Sequence, residues 1–361
     1  MVSKFDVLVV GAGPAGVSAA YFIKHHDKSN SINVDLVERL DSEMYKQYHD
    51  MCGEAVSKYL FDELLPLKPR GIVEEIKLIR EYWPGDIEID TPVKGYILDR
   101  AQFLESIIDE FRKKDGYFEN KPVKAVSQRD SKVNVKFGDE SKDYDYVIAA
   151  DGANSMIRKS LGISGRTRNF IQYIIDKEPE QGTLVFKYDE KYGGDYEWIF
   201  PHEGKTKIGY PLIRDKIFKP KGEILEKQSR AIGYGGINRY VHGRILLVGD
   251  AACQTNALTK GGIRAGMIAG KIVANAIING NPKKYESEWL RTDFSSDVFN
   301  ESFKQLKNMN NRDLQKHIEP FKDVNMDSFY QRSVLYIKTL LLYRKYIKLY
   351  KAYDLANEAG W

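Results

Sequence analysis

Apolar residues recur along this chain in short runs that end at a glycine or an acidic residue and lead into a helical pattern. Three such runs stand at 5–10, 146–150 and 245–248. A short apolar run that precedes a turn and a helix is typical of a buried parallel strand. A further run at 33–38 completes a strand, helix and strand unit with the first. The pattern therefore predicts an α/β fold whose sheet is assembled from distant segments.

Between these runs the apolar period changes from helical to strand-like. Residues 72–83 and 87–97 alternate around Pro84-Gly85, which predicts an antiparallel hairpin. Asp99 is the expected N-cap of an amphipathic helix over 100–114. A helix is also expected after Cys52-Gly53. The remaining pattern predicts strands at 132–137, 143–150, 183–188, 196–201 and 205–210, a helix over 262–278, and mainly helices over 281–361.

These elements divide into interleaved units, because the strand and helix pattern of the first unit resumes after long insertions. We expect a Rossmann-like dinucleotide-binding domain built from 1–70, 95–160 and 240–280. We expect an inserted sheet domain that carries the substrate, built from 71–94 and 161–239. A C-terminal helical region takes up 281–361.

Composition narrows the class of protein. The chain has 361 residues, enough for two domains. Its 55 Lys and Arg against 51 Asp and Glu leave a net charge of +4, and a nucleic-acid binder would be more basic. Two distant cysteines provide no disulfide framework, which fits a reducing cytoplasm. No signal peptide, no run long enough to span a membrane and no metal-ligand pattern is evident, so we expect a cytoplasmic protein without a metal.

The first glycine cluster has the spacing of a dinucleotide-binding loop. Gly11 would allow the tight turn, Gly13 would let the backbone approach a pyrophosphate, and Gly16 would let the helix pack on the sheet. Glu38 ends the next strand, where a carboxylate can accept hydrogen bonds from ribose hydroxyls. The residues predicted to bind the adenosine and pyrophosphate are Gly11, Gly13, Ala15, Gly16, Glu38 and Arg39.

Two later motifs indicate which dinucleotide this chain would bind. Residues 145–158, with Asp151-Gly152, resemble the Asp-Gly signature of the flavoprotein hydroxylase superfamily, and residues 243–252, with Gly249-Asp250, resemble its Gly-Asp signature. The resemblance implies bound FAD, with Asp250 on the ribityl chain and the loop at 259–262 beside the flavin pyrimidine. The alternative is that both aspartates only cap helices. The residues that this resemblance assigns to FAD are Arg100, Asp151, Gly152, Gly249, Asp250, Gly261, Gly262 and Ile263.

Finer motifs over residues 5–280 resemble the archaeal geranylgeranyl reductase family, of the digeranylgeranylglycerophospholipid reductase type. Cys52-Gly53-Glu54 resembles the family's Cys-Gly signature, and the residues from Tyr196 to Pro201 resemble its lipid-site motif. Residues 256–263 match its flavin-edge loop in outline, although Lys260 stands where glycine is frequent. The resemblance implies an FAD-dependent reductase that saturates C=C bonds of geranylgeranyl chains in ether lipid precursors. It assigns a catalytic role to Cys52, cofactor contact to Cys52 and Gly53, and substrate contact to Tyr196, Trp198 and Phe200.

The residues themselves leave alternatives open. Cys52 could supply the proton, or it could position a water that does so, or it could be an inert buried thiol. Cys253 is expected to pack without a chemical role. Tyr196 and Trp198 share a strand face, which suits either a lipid wall or an ordinary core. The basic and apolar stretch at 330–350 suits either peripheral contact with a membrane or a packing helix.

Two rival functions follow from the same motifs. A flavin-dependent monooxygenase acting on an aromatic or isoprenoid substrate would need the same cofactor. An FAD-containing lipid carrier would need the same cavity but no turnover. The electron donor is open between a ferredoxin-like protein and NAD(P)H. The expected partners are therefore an isoprenoid lipid and one of these donors, and no nucleic acid.

Overall fold

The structure is a computed structural model that describes residues 5–129, 131–214, 216–322, 324 and 329–361. The helices are α1 Pro14–His26, α2 Ser42–Asp50, α3 Tyr59–Glu63, α4 Arg100–Arg112, α5 Met156–Ser160, α6 Ile263–Ile278, α7 Lys284–Trp289, α8 Asp297–Lys307, α9 Asn311–Ile318, α10 Phe329–Leu342 and α11 Ile347–Ala359. The strands are β1 Phe5–Val10, β2 Ile32–Glu38, β3 Ala55–Ser57, β4 Ile72–Trp83, β5 Ile87–Leu98, β6 Tyr117–Asn120, β7 Ala125–Arg129, β8 Lys132–Phe137, β9 Glu140–Tyr144, β10 Tyr146–Ala149, β11 Thr167–Ile175, β12 Thr183–Lys187, β13 Glu197–His202, β14 Lys205–Pro211, β15 Ile224–Gly233, β16 Val241–His242 and β17 Ile245–Leu247.

The mainly parallel sheet has the strand order β16-β17-β10-β1-β2-β6. Strand β1 runs parallel to both β2 and β10, so the connections leave it in opposite directions. Such a switch point opens a crevice at the carboxyl ends of the strands, where ligands bind in α/β sheets. Helices α1 and α6 pack together on this sheet, and the Ser18 hydroxyl donates to the Met267 carbonyl at 2.6 Å. The α/β fold class predicted from the sequence is confirmed.

A second sheet of eight strands has the order β15-β11-β14-β13-β12-β4-β5-β3. Its hairpin β4–β5 has the antiparallel pairing predicted from residues 72–97, with Trp83 opposite Ile87 beside the turn. Strands β11 and β15, which pair over nine positions and close one edge, were not predicted. Their sequences mix polar and apolar residues without a clean period of two: the second half of β11 is buried on both faces, whereas the first residues of β15 are exposed on both.

A third sheet of three strands, β7-β8-β9, packs beside the parallel sheet, and its Val133, Val135 and Tyr144 join the core of that sheet. It corrects the single strand predicted over 143–150. Strand β9 ends at Tyr144 and pairs with β8, whereas β10 begins at Tyr146 and joins the parallel sheet. Periodicity could not separate them, because the side chains change sheet at Asp145 without a glycine or proline to mark the break.

The helix expected after Cys52-Gly53 was also wrong. Helix α2 ends at Asp50, before the cysteine, and the short strand β3 follows it. Glu54 has φ of 60°, a left-handed conformation that redirects the chain, and β3 then pairs with β5. Pairing with the edge of the larger sheet therefore determines the conformation of this segment.

The C-terminal region is helical, as predicted, and packs over the hairpin. Trp83 and Ile87 share an apolar cluster with Phe299 of α8 and Leu349 of α11. The stretch at 330–350 forms two helices, α10 and α11, separated by a turn at 343–346, and not the single helix expected. None of the helices in the described ranges is long and apolar enough to cross a bilayer.

Candidate functional site

A cavity of about 1520 Å³ lies between the switch point of the parallel sheet and one face of the larger sheet. Most small-ligand pockets occupy roughly 300–1,000 Å³, so this one has room for a dinucleotide and a second ligand. Of the residues that the sequence assigned to cofactor or substrate, all except Gly16 line it. Gly16 instead lies against the Gly11 carbonyl, where its lack of a side chain allows α1 to approach the sheet.

The glycine loop is fixed from its inner side and open on its outer side. The Glu38 carboxylate accepts from the Ala12 amide at 2.8 Å, and the Tyr45 hydroxyl donates to the Ala12 carbonyl at 2.7 Å. A Cβ atom placed on Gly13 would meet nothing closer than the His49 ring at 4.0 Å. Glu38 is 6% exposed and its oxygens keep further lone pairs. The loop therefore offers free backbone space where a pyrophosphate would fit.

The two aspartates of the later motifs behave differently. Asp151 accepts from the Ser155 hydroxyl at 2.6 Å and from the Ile157 amide at 3.1 Å, so it does cap α5 as the alternative held. Burial raises the pKa of Asp151 despite these hydrogen bonds. Asp250 lines the cavity, and among the described residues its carboxylate accepts from the Thr255 hydroxyl alone, at 2.7 Å. The carboxylate of Asp250 is thus available to hydroxyl donors.

The loop before α6 is tied to the aromatic strand. The Asn256 side chain accepts from the amides of Leu258 and Thr259, which shapes the loop. The Tyr196 hydroxyl donates to the Thr259 carbonyl. Lys260 lies 2.9 Å from the buried carboxylate of Asp195, and burial lowers its pKa even though Asp195 opposes that effect. The lysine that departs from the family pattern therefore anchors this loop to the residue before Tyr196.

The Cys52 loop is held by a buried lysine from the larger sheet. The Lys207 ammonium, 1% exposed, lies 2.7 Å from Asp50 and 2.6 Å from Glu54. Burial lowers the pKa of Lys207, but the two carboxylates outweigh it and the net shift is upward. Burial raises the pKa of Glu54 more than Lys207 and Arg100 lower it. Cys52 is half-buried and lines the cavity, and its sulfur accepts from the Glu54 amide at 3.4 Å.

Two arginines and a histidine near this loop present unpaired nitrogens. Within the described ranges, neither Arg100 nor Arg230 forms an ion pair, and Nε of Arg100 and Nη1 of Arg230 have no hydrogen-bond partner. Arg230 stacks on the Tyr48 ring at 4.6 Å. Burial and both arginines lower the pKa of His49 well below its usual range, so this ring is neutral. Unpaired buried cations require an anion, and the phosphates of a dinucleotide have that chemistry.

Arg230 and His49 were missed by the sequence analysis. They belong to no motif, and Arg230 is brought to the cavity by a strand that periodicity did not reveal. The only signal was an arginine in an otherwise polar stretch.

The cavity face of the larger sheet carries one continuous cross-strand row. Side chains directly opposite each other on neighbouring strands lie on the same face. The row runs through Glu81, Phe186, Trp198, Gly209, Gln172 and Gln228. Any side chain at Gly209 would overlap the Trp198 indole, so the glycine lets this ring lie across the neighbouring strand. Tyr196 precedes β13 and does not belong to it, but its ring centroid lies 6.5 Å from that of Trp198.

The row ends in two different polar environments. At the Cys52 end, Gln172 donates to Gln228 at 2.6 Å and Gln228 donates to Asp50 at 2.9 Å. At the other end Glu81 stands among aromatic rings, and Tyr188 hydrogen-bonds its carboxyl group. Burial raises the pKa of Glu81 to about 7, and Tyr188 opposes that only in part. Burial thus favours the neutral form of Glu81 at this end of the row.

Comparisons with known proteins agree with this arrangement. No family model matches the chain. It is 25% identical to a digeranylgeranylglycerophospholipid reductase of Methanococcoides burtonii, over 91% of this chain and 90% of that protein. It is 29% identical to one of Methanopyrus kandleri, over 79% of this chain and 82% of that protein.

Solved structures share the fold. A geranylgeranyl bacteriochlorophyll reductase-like protein of Thermoplasma acidophilum superposes with a TM-score of 0.78 at 21% identity, covering 98% of this chain and 99% of that one. A p-nitrophenol 4-monooxygenase of Pseudomonas putida superposes with a TM-score of 0.66 at 16% identity, covering 99% of each chain. The predicted fold and the predicted resemblance are confirmed: the chain is similar to proteins named digeranylgeranylglycerophospholipid reductase and has a fold shared with flavin-dependent enzymes.

Proposed function

We propose that this protein is an FAD-dependent reductase that hydrogenates C=C bonds of geranylgeranyl chains in isoprenoid ether lipid precursors. The observation that carries the proposal is the shared cavity: the glycine loop, the Cys52 thiol and the aromatic row from Phe186 to Trp198 line one continuous space. Relatives that align with this chain over most of their own length are named digeranylgeranylglycerophospholipid reductases.

The residues present suit FAD as the flavin. Glu38 and Arg39 lie beyond the glycine loop, at the end where an adenosine would be bound, and FMN has no adenosine. The open space at Gly13 and the guanidinium of Arg100, whose Nε has no partner, suit the pyrophosphate. Asp250 suits the ribityl hydroxyls. The interleaved domains expected from the sequence stay a prediction, in which 71–94 and 161–239 form the substrate-binding part.

Reduction of an isolated alkene needs a hydride on one carbon and a proton on the other. The bound, reduced flavin would supply the hydride. The protein must then exclude water and place one acid, because an unpolarised alkene resists both additions. Trp198 and Phe200 provide the apolar wall, and Lys207 fixes the loop that presents Cys52. Cys52, or a water that it positions, is the proposed proton donor.

The lipid is proposed to enter from a membrane through α10. This helix exposes a run of large apolar side chains: Val334, Tyr336, Ile337, Leu340, Leu341 and Leu342 are 38–73% exposed. Tyr336, Ile337 and Leu340 also line the cavity. An exposed apolar helix beside basic residues suits the interface of an anionic bilayer. Lys338 and Arg344 are exposed there, whereas Lys345 and Lys348 are paired with Asp313 and Glu301.

Anaerobic turnover with a chemical reductant tests the proposal, because it does not depend on the natural electron donor. Purified protein loaded with FAD would be mixed with a geranylgeranyl ether lipid under nitrogen, and the lipid analysed by mass spectrometry. We expect products that carry two added hydrogens per reduced bond. Turnover only when O₂ is admitted would indicate a monooxygenase, and tight lipid binding without turnover would indicate a carrier.

A further inference from the structure

Trp361 lies in the same apolar cluster as the lipid-site residues. The cluster has Ile76, Ile97, Leu184 and Phe200 as its buried members, and Trp198 and Trp361 pack against it. Trp361 also lines the cavity. No sequence motif includes this residue, which lies 163 positions after Trp198 in a helical region with no flavin signature.

The indole of Trp361 is seated on the backbone of β5. Its six-membered ring lies over Gly95, where any side chain would overlap it. Gly95 pairs with Ile76 on β4 and with Ser57 on β3, so the ring covers the end of the sheet next to the Cys52 loop. The same end contains Gly53, whose position is in contact with the Phe200 ring.

The backbone around Trp361 is tied to the flavin-edge loop. The Thr259 hydroxyl donates to the Gly360 carbonyl. Arg264, at the start of α6, donates to the Glu358 carbonyl and, at 3.4 Å, to the Trp361 carbonyl. Arg264 is itself held by Glu63 at 2.6 Å. These hydrogen bonds, together with the packing of the ring, therefore fix the position of the indole relative to the loop next to the proposed flavin.

The lining of the cavity joins α10 to the cluster that holds Trp361. It includes exposed side chains of α10, Glu81 on β4, and both Phe200 and Trp361. Glu81 and Ile76 are five residues apart on β4, a separation of about 17 Å in a strand. An extended prenyl chain that enters at α10 thus runs along the row of aromatic rings toward the indole.

We propose that Trp361 is a specificity-determining residue: its indole forms the end wall of the prenyl site and limits the length of chain that fits. The inference rests on the proposed function, because it takes the second ligand to be an isoprenoid chain. Nothing polar is required of the indole, since the cluster that it packs against is apolar and its ring lies over Gly95. A smaller side chain would lengthen the site without altering the residues that line the glycine loop.

Binding of saturated prenols tests this without turnover. Phytanol, a saturated C20 alcohol, and its saturated C25 homologue would be titrated into the oxidised FAD-loaded protein, with flavin fluorescence as the readout. Trp361→Ala should raise the affinity for C25 relative to C20 about tenfold or more, since pockets discriminate between chains differing by single methylenes by about 10-fold to 200-fold. Trp361→Phe should fall between Ala and the wild type. Tyr117→Ala, an exposed aromatic on β6, is the control and should leave the ratio unchanged.

Three results would overturn the inference. An unchanged C25 to C20 ratio in Trp361→Ala would mean that the indole does not limit the chain. A weakening of FAD binding beyond tenfold in that variant would mean that the residue serves the flavin-edge loop. If wild-type protein binds neither alcohol, the proposed lipid substrate fails and this inference fails with it, whereas C20 binding with an unchanged ratio removes only the inference.

Discussion

The ammonium of Lys207 on β14 lies 2.6 Å from Glu54 and 2.7 Å from Asp50, so it joins the two residues that flank Cys52. Lys207 and Glu54 are 1% and 4% exposed. A charge in this position is stable only while its partners are present. The larger sheet therefore fixes the loop that carries the candidate proton donor, although some 150 residues separate them in sequence.

Replacing Lys207 with Met should destabilise the protein. Breaking one side of a buried ion pair costs about 3–5 kcal/mol, because the remaining charges are left unpaired. Urea denaturation at pH 7 would measure the loss. The double variant Lys207→Met, Glu54→Gln should recover part of it, since one unpaired carboxylate is removed. Equal stability of wild type and Lys207→Met would contradict the role assigned to this lysine.

Cys52→Ala should keep its FAD and its fold but lose most alkene reduction, because Cys52 lines the cavity and its thiol is expected to act on substrate. A positioned general acid typically contributes roughly 10²–10⁴-fold in rate. Cys253→Ala is the matched control. Cys253 is fully buried, and burial raises the pKa of its thiol, so its removal should change turnover much less. Normal turnover by Cys52→Ala would assign the proton to another donor.

Glu81 should make stability depend on pH. Its pKa is about 7 in the folded protein against 4.5 for the free side chain, so the folded state holds this proton more tightly than the unfolded state does. The contribution of this group to the free energy of unfolding is fully present below pH 4.5 and is lost as the pH rises toward 7. Glu81→Gln remains neutral and escapes this loss. Its stability relative to wild type should therefore increase across that window by about 3 kcal/mol and then stay constant.

Denaturation series of Glu81→Gln and of the exposed control Glu178→Gln, at pH 5, 6, 7 and 8, would check this. A gap between Glu81→Gln and wild type that does not change with pH would mean that the carboxyl group is solvated and not buried among the rings.

The apolar face of α10 should bind anionic vesicles reversibly. Burial of apolar surface contributes about 25 cal/mol per Å², and exposed basic residues add about 1 kcal/mol each near an anionic surface. Leu341 and Leu342, 73% and 72% exposed, should contribute most of the apolar part. Leu341→Glu with Leu342→Glu should abolish cosedimentation with phosphatidylglycerol vesicles.

A second variant measures how much the basic residues contribute to vesicle binding, apart from the apolar side chains. Changing Arg332, Lys338, Arg344, Lys345, Lys348 and Lys351 to Gln should weaken binding and remove its salt dependence. Equal binding by the wild type and both variants would make 330–350 a packing segment only. The Arg332 side chain lies outside what the structure describes, so its part in this set rests on the sequence.

Much of the nucleotide half could be predicted because its chemistry is local. The glycine spacing from Gly11 to Gly16, the acid at Glu38 and the Gly249-Asp250 pair each specify a turn or a contact within a few residues. Asp99 likewise caps α4, accepting from the Gln102 amide at 2.9 Å. Such motifs can be recognised in a single sequence because the residues that form each turn or contact are neighbours in the chain.

The substrate half could not be predicted in the same way, because its contacts join distant residues. Lys207 meets the Cys52 loop, and Trp361 meets Gly95, through a sheet whose edge strands lack a clear period. The segment after Cys52 was expected to be a helix, but pairing with β5 determines its conformation. Strand β3 has three residues, too few to produce a periodic signal.

A single anaerobic turnover tests the central claim most directly. FAD-loaded protein would be reduced with one equivalent of dithionite and mixed with geranylgeranyl ether lipid without O₂, while flavin absorbance and lipid mass are followed together. The proposed reductase predicts that the oxidised flavin spectrum returns as one C=C bond per flavin gains two hydrogens. A flavin that stays reduced beside unchanged lipid, and is reoxidised only when O₂ is admitted, would contradict it.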